Sequence, residues 1–331
     1  MDTSSDPLWD PQAPADADLR RIETLLRSQR HPQHRVPAPA WSMPSARRGG
    51  RGPMRVLLAA CAVLGLALAM WLPWRLQWDE GQPWPVLRAG RIEMLAVGDS
   101  LGTGPSEHLR LSVARIGEVT LAPNSRVSLI ATGTQRHRLA LQHGRLHARI
   151  WAPPGRFGVL HGGAETIDLG CEFDLLQRAD GSGALRVRSG WVLQQVAGAE
   201  VLVPAGHAIA FDRKRSTIPL REAASPALRS ALEELDTRMT AGWRIEALEA
   251  AVAASATGDD AFALLSLLTR HPALASGPVY PRLASLLRVD AGNGAHRKAW
   301  AAGSHHAMEA WWERIPQPPK QWWWHWRDAL R

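Results

Sequence analysis

Hydrophobic and polar residues are arranged in three different ways along this chain. From Val56 to Trp74 nineteen residues pass without a charge; as a helix rising about 1.5 Å per residue they cover roughly 28 Å, close to one hydrocarbon core. From about Pro85 to Phe211 short runs alternate apolar and polar positions: GEVTL, RVSLIA, HRLALQ, GRLHARI, ALRVRSGWVL and AEVLVPAGHAIAF, each set off by Gly, Pro or Asn. That texture predicts an all-β region. From about Ser225 apolar residues recur at three and four in ALRSALEELDTRM, RIEALEAAVAASA, DAFALLSLLTR, YPRLASLLRV and KAWAAGSHHAMEAWWERI, which predicts helices. The expected class is a multidomain α+β chain: a single transmembrane helix, an all-β domain and an α-helical C-terminal domain.

The uncharged run reads as an uncleaved anchor. Within LLAAC (Leu57 to Cys61), Leu58, Ala59, Ala60 and Cys61 imitate a lipobox, but the apolar run continues for a dozen residues beyond it. A cleavable signal at Ala67 and Ala69 would carry more than fifty residues ahead of it, far more than such signals do. Arg35, Arg47, Arg48 and Arg51 precede the run with no acidic residue among them, whereas Asp79 and Glu80 follow it. The positive-inside rule then puts the N-terminus in the cytoplasm and everything after Trp74 outside it, with Trp71, Trp74 and Trp78 at the far interface. The expected divisions are a cytoplasmic tail over 1–54, the span over 55–75, a β domain over 76–222 and a Trp-rich helical domain over 223–331.

In the tail, Leu19, Ile22, Leu25 and Leu26 fall at helical spacing ahead of a Pro-, Arg- and Gly-rich linker. A helix of about fourteen residues does not hold its fold alone in water. Its stripe, together with Trp9, is the predicted partner-binding surface, because an unpaired apolar face gains most by docking.

Within the β region Gly90, Gly117, Gly144 and Gly198 stand at multiples of 27 residues, a period that fits the coils of a short β-solenoid; a twisted sandwich is the alternative. The helices, separated by Asp, Gly and Pro at short intervals, fit stacked pairs in a small α-solenoid. Trp300, Trp311, Trp312, Trp322, Trp323, Trp324 and Trp326 crowd the C-terminus. They fill the core of the last helices, since Trp buries more area than any other side chain, or they offer a stacking platform for sugars or membrane.

Charge and chemistry add little. The net charge of +8 comes almost wholly from Arg spread along the chain, so no direct nucleic-acid partner is expected. Cys61 and Cys171 lie in different regions and are not expected to pair; Cys171 reads as a buried strand residue. VGDSL, from Val97 to Leu101, spells an esterase nucleophile block, but no His has Asp three residues before it, and a Ser hydroxyl without a base is weakly nucleophilic. Asp99 and Ser100 read as turn residues. His305 and Glu309 share a helical face without the further ligands a metal wants. No enzyme activity, metal or cofactor is expected.

VGDSLGTG, GEVTLAPNSRVSLI, LALQHGRLHARI, AETIDLGCEFDLL, GALRVRSGWV and VLVPAGHAI follow one another between Val97 and Ala210. In that order they resemble the FecR domain. FecR-type proteins are single-pass inner-membrane regulators whose cytoplasmic segment controls an extracytoplasmic-function sigma factor and whose periplasmic part receives the signal. The resemblance therefore implies a sigma factor as cytoplasmic partner and a periplasmic or outer-membrane signal partner. Two features depart from the best-known members: a tail shorter than their cytoplasmic domain, and a different C-terminal third, which counts against a TonB-dependent receptor. The other function kept open is an envelope module that binds polysaccharide or a periplasmic protein without any transcriptional role.

Overall fold

A computed structural model describes residues 74–316 apart from Gly292, together with Ala60, Cys61, Gly65, Met70 and Trp71. Trp9, Leu19, Ile22, Leu25 and Leu26 lie outside the described residues, as do most of the uncharged run and Trp322 to Trp326. Among the described residues no helix is long and apolar enough to cross a membrane.

Alternation of apolar and polar residues yields fifteen strands among the described residues: β1 (Trp84–Arg88), β2 (Arg91–Leu95), β3 (Ser100–Gly102), β4 (Leu109–Val113), β5 (Gly117–Leu121), β6 (Arg126–Ala131), β7 (His137–Ile150), β8 (Phe157–His161), β9 (Ala164–Asp168), β10 (Glu172–Gln177), β11 (Gly183–Ser189), β12 (Trp191–Val196), β13 (Ala199–Pro204), β14 (His207–Phe211) and β15 (Leu220–Arg221). One sheet runs β2-β1-β4-β5-β7-β10-β11-β14-β15 and the other β3-β6-β7-β8-β9-β12-β13. Both contain β7. Residues 137–143 of it pair with β6 and, in part, with β8, whereas residues 144–150 pair with β5 and β10.

The strand changes sheet at Gly144, whose φ is +100°. A Cβ there would stand 2.3 Å from Ser125 Oγ, and that hydroxyl accepts from the Arg145 amide at 2.9 Å. Only glycine supplies both the left-handed backbone and the space. Around this corner the two sheets fold face to face, a sandwich with its corner made by one bent strand. Val86, Leu111, Val119, Leu146, Phe173 and Leu185 from one sheet meet Val127, Leu139, Phe157, Val192 and Val203 from the other in a common core.

This arrangement overturns the solenoid. Every strand pair is antiparallel except β7 with β8, and coils stacked in a solenoid would pair in parallel. The 27-residue glycines serve unrelated ends. Gly90 and Gly198 sit in hairpin turns, Gly144 is the corner, and Gly117 lets β5 approach the backbone of β7, since a Cβ there would stand 2.3 Å from Arg149 O.

Six α-helices follow among the described residues: α1 (Pro226–Thr240), α2 (Glu246–Ser255), α3 (Ala261–Arg270), α4 (Val279–Leu287), α5 (Gly294–Ala301) and α6 (His305–Trp312). Ser225 caps α1 by accepting from the Leu228 amide, with Pro226 in the first turn. α3 is apolar nearly all round and eight of its ten residues are buried, and consecutive helices pack against each other, α1 on α2, α3 on α4 and α5 on α6. The outer face of the second sheet contributes Ile167, Leu169, Leu193 and Leu202 to the helical core. At this seam the Phe262 ring stands 6.0 Å from Trp191, 5.4 Å from His207 and 5.5 Å from Trp312, centroid to centroid.

Trp300, Trp311 and Trp312 are buried. Two find partners for their indole N–H: Trp300 donates to Leu268 O at 3.2 Å and Trp312 to Thr269 Oγ1 at 3.0 Å. They are core residues, the first of the two expectations.

Candidate functional site

Three hairpin turns converge at one end of the sandwich. Gly162 and Gly163 join β8 to β9, Gly181 lies between β10 and β11, and Ala197 with Gly198 joins β12 to β13; all five have positive φ. Tight turns of this type match the twist of the flanking strands. Between the turns and the adjoining surface of the second sheet lies a cleft of about 770 Å³, lined among others by Gln142, His161, Glu165, Gln177, Gln195 and Glu200, with Arg178 and Arg213 contributing guanidiniums.

Behind it the sandwich interior turns polar. In β12, Gln194 lies on the same face as Val192; in β9, Thr166 and Asp168 lie on the face opposite Ile167. His161 Nε2 is 2.7 Å from Thr166 Oγ1, and the Thr166 hydroxyl donates to Gln194 Oε1 at 2.6 Å. Gln194 Nε2 also stands 3.3 Å from His161 Nε2, so that His161, Thr166 and Gln194 form one closed polar cluster. On the other side Gln177 stands 3.3 Å from His161 Nδ1 and donates to Arg178 O at 2.9 Å. All four side chains are nearly sealed from solvent. Burial pulls the His161 pKa down to about 4, against the opposing effect of Gln177 and Gln194. The imidazole is neutral at physiological pH, and each of its ring nitrogens lies within 3.3 Å of a polar side chain.

The charges lie on the outer face. Arg138 Nε is 2.5 Å from Glu165 Oε1, and the pair lies over Gly158, where a Cβ would come within 3.0 Å of both groups. Gln195 Nε2 donates to Glu200 Oε1 at 2.5 Å, whereas Glu200 Oε2 is buried without a hydrogen-bond partner. The cleft thus offers amide and carboxylate acceptors, amide and guanidinium donors, and no Phe, Tyr or Trp ring. Such a lining recognises a polar, hydrogen-bonding ligand or peptide loop.

At the other end of β9 Asp168 is fully buried. Its carboxylate accepts from the Gly170 and Cys171 amides at 3.1 and 2.9 Å, and the Cys171 thiol donates to Oδ1 at 2.5 Å. Burial raises the Asp168 pKa to about 7 despite those bonds, and burial together with the Asp168 charge raises the thiol well above its ordinary value. Cys171 is buried at the entry to β10. Asp99 accepts from the Ala96 amide in a turn, and Ser100 begins the short strand β3 beside β6. Among the described residues no group of three or more His, Cys, Asp or Glu side chains could hold a metal ion.

Sequence reasoning placed its site residues in the tail and missed this cleft. The available signal was the Gly-bearing turns HGGA, DGSG and AGA, together with polar residues at inward positions of otherwise apolar strands.

No protein-family profile matches the chain, and no curated protein is similar to it. Two crystal structures, at 2.50 and 1.65 Å resolution, of a candidate anti-sigma factor from Parabacteroides distasonis ATCC 8503 are similar over 40% of this chain, at 15% and 16% identity and TM-scores of 0.33 and 0.34. The chain spans 63% of the length of those structures. A likeness this slight carries no argument about fold or function.

Proposed function

We propose that the chain is a single-pass membrane regulator: the sandwich and its helices receive a signal at the hairpin-turn cleft, and the cytoplasmic tail controls an extracytoplasmic-function sigma factor. The observation that carries the receiving role is the cleft itself. It has a rigid, hydrogen-bonded back wall and unsatisfied acceptor capacity at Glu200, which suits recognition of a polar partner. Support for the sigma-factor output comes from the six FecR-like motifs, which supply in order all the strands of the one sandwich from β3 to β14 except β4 and β8, and from the apolar stripe of Leu19, Ile22, Leu25 and Leu26 on the other side of the uncharged run.

The test is to purify the full chain in detergent from its native membranes and identify co-purifying sigma factor by mass spectrometry, beside the double variant Ile22→Asp, Leu26→Asp. Recovery with the wild type and loss with the variant is the expected result. Equal recovery from both would sink the tail surface. No sigma factor with either, while one is present in the cells, would leave the envelope-binding role in its place.

A further inference from the structure

The uncharged run ends at Trp74, and the residues after it are bound to the sandwich rather than hanging from it. Arg115, in the turn between β4 and β5, donates to Trp74 O and Gln77 O at 3.2 Å each, and Arg75 Nε returns a bond to Arg115 O at 3.0 Å. Trp78 and Thr134 exchange two bonds, the Trp78 amide to Oγ1 at 3.3 Å and the hydroxyl to Trp78 O at 3.0 Å, while the Gly81 amide donates to Thr132 O at 3.1 Å.

Guanidiniums and indoles interleave over this joint. Arg115 lies 4.1 Å from the Trp74 ring centroid and 5.5 Å from that of Trp78. Arg75 lies 5.0 Å from Trp71 and 5.7 Å from Trp151, and Arg149 stands 5.1 Å from Trp151 on its other contact. Trp71, Trp74 and Trp151 remain 47%, 53% and 47% exposed. Scattered exposed indoles are ordinary. Here residues from three separate stretches of chain, 71–78, Arg115 and 149–151, build one patch; Arg115 spends one nitrogen on the two backbone carbonyls and Arg149 Nε stands 3.7 Å from Glu172 Oε2, and the other edge N–H groups of a stacked guanidinium can face phosphate. Indoles and arginines of this kind prefer the headgroup zone of a bilayer.

We propose that the margin of the sandwich carrying Arg115, Arg149 and Trp151 lies on the phospholipid leaflet from which the chain emerges. The occupant is a leaflet because the nineteen-residue uncharged run ends inside the patch; the inference rests on reading that run as a membrane span. The sandwich is then seated on the membrane at a fixed attitude.

Full-length protein labelled with 5-fluorotryptophan, in nanodiscs of phosphatidylethanolamine and phosphatidylglycerol, provides the test. Single Trp→Phe variants identify the fluorine resonances, and proton–fluorine Overhauser effects report lipid within contact range. The expected result is lipid cross-peaks at Trp71, Trp74 and Trp151, with none at Trp300, which is buried in the helical core. In the double variant Arg115→Gln, Arg149→Gln the Trp151 cross-peak is expected to disappear while those of Trp71 and Trp74 remain. Cross-peaks at Trp71 and Trp74 but none at Trp151 in the wild type would overturn the seating and leave the span intact. Their absence from all three would remove the span as well.

Discussion

His271 Nε2 lies 2.8 Å from Asp236 Oδ1, joining the end of α3 to the middle of α1. The same carboxylate receives Arg270 Nη1 at 3.2 and 3.1 Å, and that guanidinium also donates to Ser216 O in the loop between β14 and β15. Helices and sandwich are thus tied at one buried acid. Burial by itself would raise the Asp236 pKa, but the His271 bond and the Arg270 charge outweigh it and hold the group below the ordinary carboxylate value.

A depressed folded-state pKa means that the stabilisation is present in full above about pH 4, the unfolded value, and fades as pH falls through the folded one. Asp236→Ala strands Arg270 and His271 and is expected to cost about 3 kcal/mol or more. Urea unfolding at pH 7 measures that cost. The gap between variant and wild type should narrow as pH is taken toward 3, and a constant gap would refute the electrostatic origin.

Asp168 works in the other direction. Its folded pKa, about 7 through burial, lies above the unfolded value, so its contribution is whole below about pH 4 and is lost as pH rises toward 7. His137 and His161 oppose it across that interval. Burial, helped at His137 by the charges of Arg138 and Arg156, holds both near 4, so each stabilises fully above about pH 6.5 and loses its effect as pH drops. Asp168→Asn isolates one slope. The variant's stability relative to wild type is expected to rise from pH 5 to about pH 7 and to level off above it in thermal melts, and a flat difference across the whole range would exclude titration of the buried acid. Cys171, shielded and held as a proton donor, is expected to resist iodoacetamide until the protein unfolds.

Thr166→Val keeps the shape of β9 but breaks the cluster of His161, Thr166 and Gln194. Leaving two sealed polar groups unsatisfied costs about 1–3 kcal/mol, and Thr166→Ser is expected to recover most of it. Denaturant midpoints of the three proteins decide the matter; equal midpoints for Val and wild type would show that the hydroxyl bears no weight.

Gly144→Ala and Gly198→Ala separate crowding from backbone strain. Both positions have positive φ, but a Cβ at 198 meets nothing within 4 Å whereas one at 144 meets Ser125. The change at 198 is expected to cost about 1 kcal/mol. The change at 144 should leave little soluble folded protein, and normal yield and melting from that variant would argue against a corner that only glycine can turn.

Local patterns announced most elements, and the exceptions have physical causes. HRLALQ and GRLHARI read as two strands because Gly144 separates them, yet the chain does not reverse there; it bends, and both runs form β7. KAWAAGSHHAMEAWWERI reads as one helix, but Gly303 with φ +83° divides it into α5 and α6. The glycine period failed because spacing cannot distinguish a turn from a corner or from a close backbone approach. The cleft was hidden because a glutamine within an alternating strand carries no mark of which sheet will close over it.

The longest strand also dictates the order in which the molecule can be made. β7 takes two partners from chain that precedes it, β5 and β6, and two from chain that follows, β8 and β10. A growing chain therefore cannot finish pairing β7 until Gln177 has appeared, and until then the half of the strand from Gly144 to Ile150 stands with one edge open. Assembly is late and nearly simultaneous, as non-local pairing requires. Unfinished copies are at their most adhesive in that interval, so the step most in need of a chaperone falls midway through synthesis.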